Sequence, residues 1–227
     1  MHHYRLHQDP RSSHQQITRI VRALARSPVL DVGAAQGILG QNLAGSGIEI
    51  DGIEPNAAWA EAARPHYRNM FVSPIECVST LPRTYAIVVC GDVLEHVVDP
   101  VAALLKLRAA ATNDAAFVIS LPNVAHVAVR TMLLFGCFPR MQRGILDKTH
   151  LHFFTRTTAI QMLEEAGLRV DRVSATPVPL DELWKRGEGT LLFKVMMRMQ
   201  HVFVALLPRL FGYQWIFLAR SVPDARS

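Results

Sequence analysis

The sequence predicts an α/β protein, an open doubly wound sheet, mostly parallel, with helices on both faces and two long insertions. Three observations carry this. Short apolar runs of strand type alternate with helical patterns along most of the chain. The first run, Val29 to Val32, breaks at Gly33, and a helical pattern resumes from Gln36 to Leu43. The second ends at an acidic residue, Glu54, about twenty positions past that turn, the separation at which a carboxylate can reach a bound ribose.

The elements follow in order. Ser12 and Ser13 are suited to cap a helix in which Ile17, Ile20, Val21 and Leu24 recur at helical spacing, and Pro28 marks its end. After the glycine turn come a strand near Ile50 to Glu54, a helix near Ala57 to Arg64, a strand near Tyr85 to Gly91 and a helix near Pro100 to Ala111. Ala116 to Ser120 makes another strand, and Thr157 to Ala166 a helix stopped by Gly167. Leu168 to Ser174 and Tyr213 to Arg220 read as late strands. The stretches 123–156 and 176–212 break the alternation and are long for connections in such a domain, the kind of insertion that carries function or disorder. One domain is expected over 1–227.

Composition narrows the function classes. The chain is 50% hydrophobic and 19% charged, far from the composition that keeps chains disordered. Cys77, Cys90 and Cys137 lie far apart, which suggests neither a disulfide framework nor a zinc knuckle. The polar segment MHHYRLHQDPRSSHQQ lacks the apolar core of a secretory signal, so a cytoplasmic location is expected. The net charge of +5 attracts anions at long range, but the basic residues are dispersed and form no aromatic stacking platform, so no nucleic-acid partner is expected.

The segment VLDVGAAQG, Val29 to Gly37, places glycine where a buried strand must turn directly into a helix and a ligand can approach the backbone. With GIEPN and VVCGDVLEHVVDP it resembles, in order and spacing, the class I S-adenosylmethionine-dependent methyltransferases; the resemblance covers roughly residues 12 to 175. It implies a Rossmann-like methyltransferase fold with a seven-stranded sheet and S-adenosyl-L-methionine as cofactor. Asp31 and Gly33 would lie near its amino acid end, Glu54 on the ribose, and Ile75 and Glu76, within Ser73 to Glu76, along the adenine. Asp92 would hold the methionine portion, and Ala34, Gly37 and Pro55 belong to the same site. A nicotinamide enzyme would show a full G-x-G-x-x-G turn for its pyrophosphate, where this chain has GAAQG.

Methyl transfer to a hydroxyl needs an aligned acceptor and a group to take its proton, a task suited to histidine. The candidates are His96, His150 and His152, with His126 in LPNVAHV a further one. His150 and His152, one residue apart, would point the same way on an extended segment. Their context, LDKTHLHFFT, resembles a bacterial branch of the same family often associated with glycan and cell-envelope biosynthesis. That implies O-methylation of a sugar or glycan-related hydroxyl; a quinone or polyketide-like acceptor is the alternative, and a non-catalytic cofactor-binding scaffold a third. Asp92, Glu95 and His96 form D-x-x-E-H, similar to the E-x-x-E-H metal pattern of certain O-methyltransferases. Aspartate is shorter than glutamate, and no metal is expected.

Leu191 to Leu207 is strongly apolar, yet Lys194, Arg198 and His201 recur at helical spacing and Pro208 closes it. Such a helix either lies in the plane of an anionic membrane surface, at the inner face, or covers the substrate pocket or a homodimer contact. In each case 190–207 helps to select the acceptor.

Overall fold

The computed structural model describes residues 9–180 and 190–222. The alternation becomes β1 (Val29–Val32), β2 (Ile50–Ile53), β3 (Asn69–Phe71), β4 (Tyr85–Gly91), β5 (Ala111–Pro122), β6 (Leu168–Ala175) and β7 (Gln214–Ser221). Between them lie α1 (Ser13–Leu24), α2 (Ile38–Leu43), α3 (Ala57–Ala63), α4 (Pro100–Ala109), α5 (Val127–Leu134), α6 (Arg156–Glu165), α7 (Leu191–Leu206) and α8 (Pro208–Phe211). The seven strands form one sheet in the order β3-β2-β1-β4-β5-β7-β6. The first five run parallel; β7 pairs antiparallel with both β5 and β6.

The two-residue period of a strand divides the core between the faces. Leu30, Val32, Val88, Cys90, Phe117 and Ile119 point to the face covered by Leu104 and Leu107 of α4 and Met162 and Leu163 of α6. Val29, Ile87, Val89, Ala116 and Val118 point to the other, against Ile17 and Val21 of α1 and Leu39 and Leu43 of α2. These helices begin where local chemistry starts them: the Asp99 carboxylate accepts from Ala102 N at 2.9 Å ahead of α4, and Thr155 and Thr158 form a reciprocal capping box at α6. The strand order reverses between β1 and β4, the switch point at which open α/β sheets bind ligands.

The structure departs from expectation in three places. The fourth helix ends at Ala109, and β5 starts at Ala111 rather than Ala116, because a bulge between Tyr85 and Ile87 shifts the register there. Asn113 and Asp114, in its exposed first turn of strand, mask the strand pattern. Within 123–156 a helix, α5, forms where no period was visible, since Val129 alone of its residues is buried. The third strand is only three residues long, at the sheet edge, too short to carry a pattern.

Asp51, on β2, is fully buried and gathers the strands around it. Its carboxylate accepts from Arg83 Nε at 2.9 Å, the Tyr85 hydroxyl at 2.8 Å and the Asn69 amide nitrogen Nδ2 at 3.0 Å. Removing one partner of a buried ion pair strands the other. Asp51→Ala is expected to lower unfolding free energy by about 3 kcal/mol, the low end for such a loss because Arg83 keeps some contact with water and with Glu49. Urea denaturation monitored by circular dichroism checks this, and Asp51→Asn should lose less.

Candidate functional site

The carboxyl ends of β1, β2 and β4 hold the predicted cofactor residues together. Gly33 and Ala34 leave β1 with their amide nitrogens bonded to Ile53 O at 2.8 and 3.0 Å, which locks the turn to the end of β2. Gly33 has φ +74°, and a Cβ there would come within 2.3 Å of Val93 Cγ2. Gly37, at φ +84°, caps α2 and approaches the Ala63 backbone so closely that a Cβ would fall 2.9 Å from Ala63 Cα. Both positions need glycine on two grounds, the left-handed backbone and the lack of space.

Glu54, at the end of β2, is buried; it accepts from Ala35 N at 2.9 Å through Oε2 and from Asn56 N at 2.8 Å through Oε1. A carboxylate has about four acceptor sites, so both oxygens keep capacity for ribose hydroxyls. Pro55 follows on the surface. Asp31 is buried in β1 and accepts from the Tyr67 hydroxyl at 2.6 Å. Burial is the main cause that pushes its carboxyl up to about 7; the Tyr67 bond pulls it down and the nearby charge of Glu54 pushes it up. Asp92, just past β4, sits at φ +55° and is held from two strands. Ser120 Oγ of β5 donates to its Oδ1 at 2.8 Å, and Gln214 Nε2 of β7 donates to its Oδ2 at 2.7 Å. Ile75 is buried while Glu76 is exposed, its Oε1 3.4 Å from Val98 N; Lys106 Nζ fastens their carbonyls at 3.2 and 2.8 Å.

Sequence reasoning missed Tyr67, Ser120 and Gln214, which orient the acids. Ser120 ends a predicted strand and was detectable as a polar residue in an apolar run; Tyr67 and Gln214 carried no local signal.

A second cluster lies one turn beyond Asp92. The Glu95 carbonyl accepts from Leu151 N at 2.8 Å and His152 N at 3.2 Å, which latches the LDKTHLHFFT segment onto the turn after β4. His96 and His150 thereby meet edge to face with ring centroids 4.8 Å apart. His150 Nδ1 lies 3.1 Å from Ile145 O and His96 Nδ1 3.2 Å from Thr149 O. A carbonyl only accepts, so in these bonds each Nδ1 carries its proton and each Nε2 keeps a lone pair. Burial, and then the neighbouring His96, push the His150 imidazole below its ordinary range.

The Glu95 carboxylate is buried with neither oxygen hydrogen-bonded, and burial, reinforced by the charge of Asp92, pushes it well above the ordinary carboxylate range. Glu95, His96 and His150 each offer a ligand atom within 4.8 Å of one another, a set able to take one divalent cation. Asp92 is not in that set, its two oxygens being committed to Ser120 and Gln214, so the grouping differs from the D-x-x-E-H spacing.

His152 stands apart. Its Nε2 lies 3.2 Å from Val98 O and its ring stacks on Phe154, since the chain bends at Leu151 and the two histidines of the segment diverge. His126 is a structural cap: its Nδ1 accepts from Ala128 N at 3.2 Å at the start of α5.

A glycine turn and a strand-end carboxylate at a switch point define an α/β domain that binds a nucleoside-containing cofactor. A model of the methyltransferase domain matches residues 4–173. The ubiquinone biosynthesis O-methyltransferase of Nitrosospira multiformis is 35% identical over 180 residues, covering 74% of this chain and 73% of that protein. The enzyme of the same name from Aeromonas salmonicida is 28% identical over 71% of each chain. Magnesium protoporphyrin IX methyltransferase from Synechocystis, solved with bound S-adenosylhomocysteine, superposes with a TM-score of 0.61 at 17% identity, covering 92% of this chain and 84% of that one. The chain belongs to the methyltransferase-domain family and is a methyltransferase.

The residues present fit S-adenosylmethionine. That molecule carries an ammonium and a sulfonium, and Asp31, Glu54 and Asp92 ring the turn without an ion pair to any described lysine or arginine. The turn also lacks the phosphate fingerprint, in keeping with a cofactor that has no phosphate.

Two outcomes test the site. Gly33→Ala should weaken S-adenosylmethionine binding at least tenfold by calorimetry, and adding Val93→Ala should recover part of the loss by opening space for the new methyl group. Asp31 sets a pH dependence. Its folded pKa lies above its unfolded value, so its contribution to stability is present at low pH and lost as pH rises through about 7. The cationic cofactor prefers the ionised form, so affinity should instead rise through the same range. Tyr67→Phe removes the bond that lowers the Asp31 pKa and should move the affinity profile to higher pH.

Proposed function

We propose that this methyltransferase moves the methyl group of S-adenosylmethionine to a hydroxyl of a small phenolic or quinol-type acceptor, with His96 or His150 taking the hydroxyl proton. The observation that carries this is the His96–His150 pair, each with a free Nε2, at the turn that also presents Asp92. When bound, the cofactor supplies an electrophilic methyl carbon on a sulfonium. The acceptor hydroxyl would give up its proton to an imidazole Nε2, that of His96 or of His150, as it takes the methyl group. The lowered pKa of His150 keeps it unprotonated at neutral pH and ready to accept. The protein's part is to hold the cofactor through the turn and the three acids, align the acceptor and receive its proton.

The ubiquinone-pathway names of the relatives favour the phenolic acceptor over the sugar or glycan hydroxyl suggested by LDKTHLHFFT. In this fold that segment builds the histidine pair, which suits any acidic hydroxyl.

His150→Ala is expected to lower kcat with a catechol-type acceptor about a hundredfold or more while leaving S-adenosylmethionine affinity within twofold, because a general base contributes on the order of that factor. His96→Ala tests the other ring. Steady-state rates beside calorimetry read the separation, and full activity in both variants would remove the histidine pair from the reaction. In the wild type the acid limb of kcat should lie below the ordinary histidine range, following the direction of the His150 shift.

A further inference from the structure

A helix of sixteen residues in an α/β domain ordinarily buries an apolar stripe of about 100° against the core. In α7 no residue is buried. At about 100° per residue, Leu191, Leu192, Val195, Met199, Val202 and Leu206 fall within about 100° of arc, and each is at least 45% exposed. The opposite side is the one that attaches to the domain. Gln200 Nε2 donates to Val178 O at 3.1 Å and His201 Nε2 meets the Asp9 carboxylate at 3.0 Å. The helix is therefore held with its apolar arc outward.

The other insertion repeats the pattern. At the end of α5, Leu134 and Phe135 are 81% and 76% exposed. The bases of the two insertions are tied at the carboxyl edge of the sheet by buried Asn123, whose Nδ2 donates to Gly212 O at 2.8 Å and whose N donates to Tyr213 O at 2.9 Å. Among the described residues the two insertions carry one carboxylate, Asp147, against exposed Arg130, Arg140, Arg143, Lys194, Arg198 and Arg209; Asp181, Glu182 and Glu188 lie outside the described residues. Lys194 and Arg198 flank the apolar arc of α7, and neither pairs with a described carboxylate. No helix among the described residues is long and apolar enough to cross a membrane.

Apolar side chains directed outward beside cations, on a helix without carboxylates, match the surface of an anionic bilayer. The apolar arc enters the acyl boundary while the cations meet the headgroup phosphates. A second copy fits less well, because an isologous contact would set Lys194 and Arg198 of both copies together with no carboxylate on the helix to neutralise them. We infer that the two insertions, α7 foremost, form a docking platform for an anionic lipid surface, placed at the edge of the sheet where the methyl-transfer site opens. The inference rests on the surface alone and is independent of which acceptor is methylated.

The test is sedimentation of the full chain with phosphatidylglycerol–phosphatidylcholine vesicles and with phosphatidylcholine alone. The wild type should pellet with the anionic vesicles at low salt, far less with the neutral ones, and less in high salt. K194E with R198E should weaken partitioning about thirtyfold or more, as expected for loss of two surface cations. M199E with V202E, which spares the cations, should weaken it as well. All four positions are exposed, and matching circular dichroism and S-adenosylmethionine affinity identify variants that keep the fold. Wild-type protein left in the supernatant with anionic vesicles would overturn the inference, as would pelleting unchanged in both variants. So would a lipid-free dimer in sedimentation velocity that both variants dissociate while the wild type ignores vesicles, which would assign the arc to a second copy.

Discussion

The contact between the turn after β1 and the turn after β4 is the constraint from which the site follows. Val93 lies over Gly33 with no room for a further carbon, and both turns use left-handed backbone, at Gly33, Ala35 and Asp92. These two parallel strands border the switch point at which open α/β sheets bind ligands, and Asp31, Glu54 and Asp92 stand at or near their carboxyl ends. Strained residues survive only where surroundings hold them. Here the Ile53 carbonyl holds one turn, and the side chains of Ser120 and Gln214 hold the other.

In the proposed cofactor site, Asp31 would set function and stability in opposition at a single group. A buried carboxyl folds most readily with its proton on, whereas a cationic ligand calls for it off. Tyr67 moderates the conflict by donating to the carboxylate from the segment before β3, so the edge of the sheet contributes to the charge of its centre. The histidine pair follows the same logic in reverse. Burial keeps His150 neutral, and the carbonyls of Ile145 and Thr149 settle which nitrogen of each ring is left to react.

The parallel core was legible because its central strands are short apolar runs and its longer helices carry an apolar period or a starting proline, as at Pro100; the Ser12 side chain, expected to cap α1, makes no capping bond. Glu54 was legible as a strand-end acid about twenty positions past a glycine turn, whereas Asp31 and Asp92 were marked only by the resemblance to the class I methyltransferases. What stayed hidden depends on partners distant in sequence. Gln214 reaches Asp92 across 122 positions and Tyr67 reaches Asp31 across 36, and no local pattern encodes either. The short edge strand β3 and the weakly buried helix α5 lack the repetition that a period needs. The two histidines of LDKTHLHFFT were expected to share a direction, yet the Glu95 carbonyl takes both Leu151 N and His152 N and turns the chain between them.

Gln214 is the second residue after Gly212, where the second insertion rejoins the sheet and where Asn123 grips it. The side chain that holds Asp92 thus grows from the root of the segment that carries α7. A displacement of that root and the occupancy of the proposed cofactor site would share one mechanical element, and thermodynamic linkage would make their influence mutual. Docking of the outer helix that favoured one placement of Gln214 would be favoured in turn, by the same free energy, when the cofactor is bound, so a membrane-docked enzyme would hold its cofactor differently from a free one.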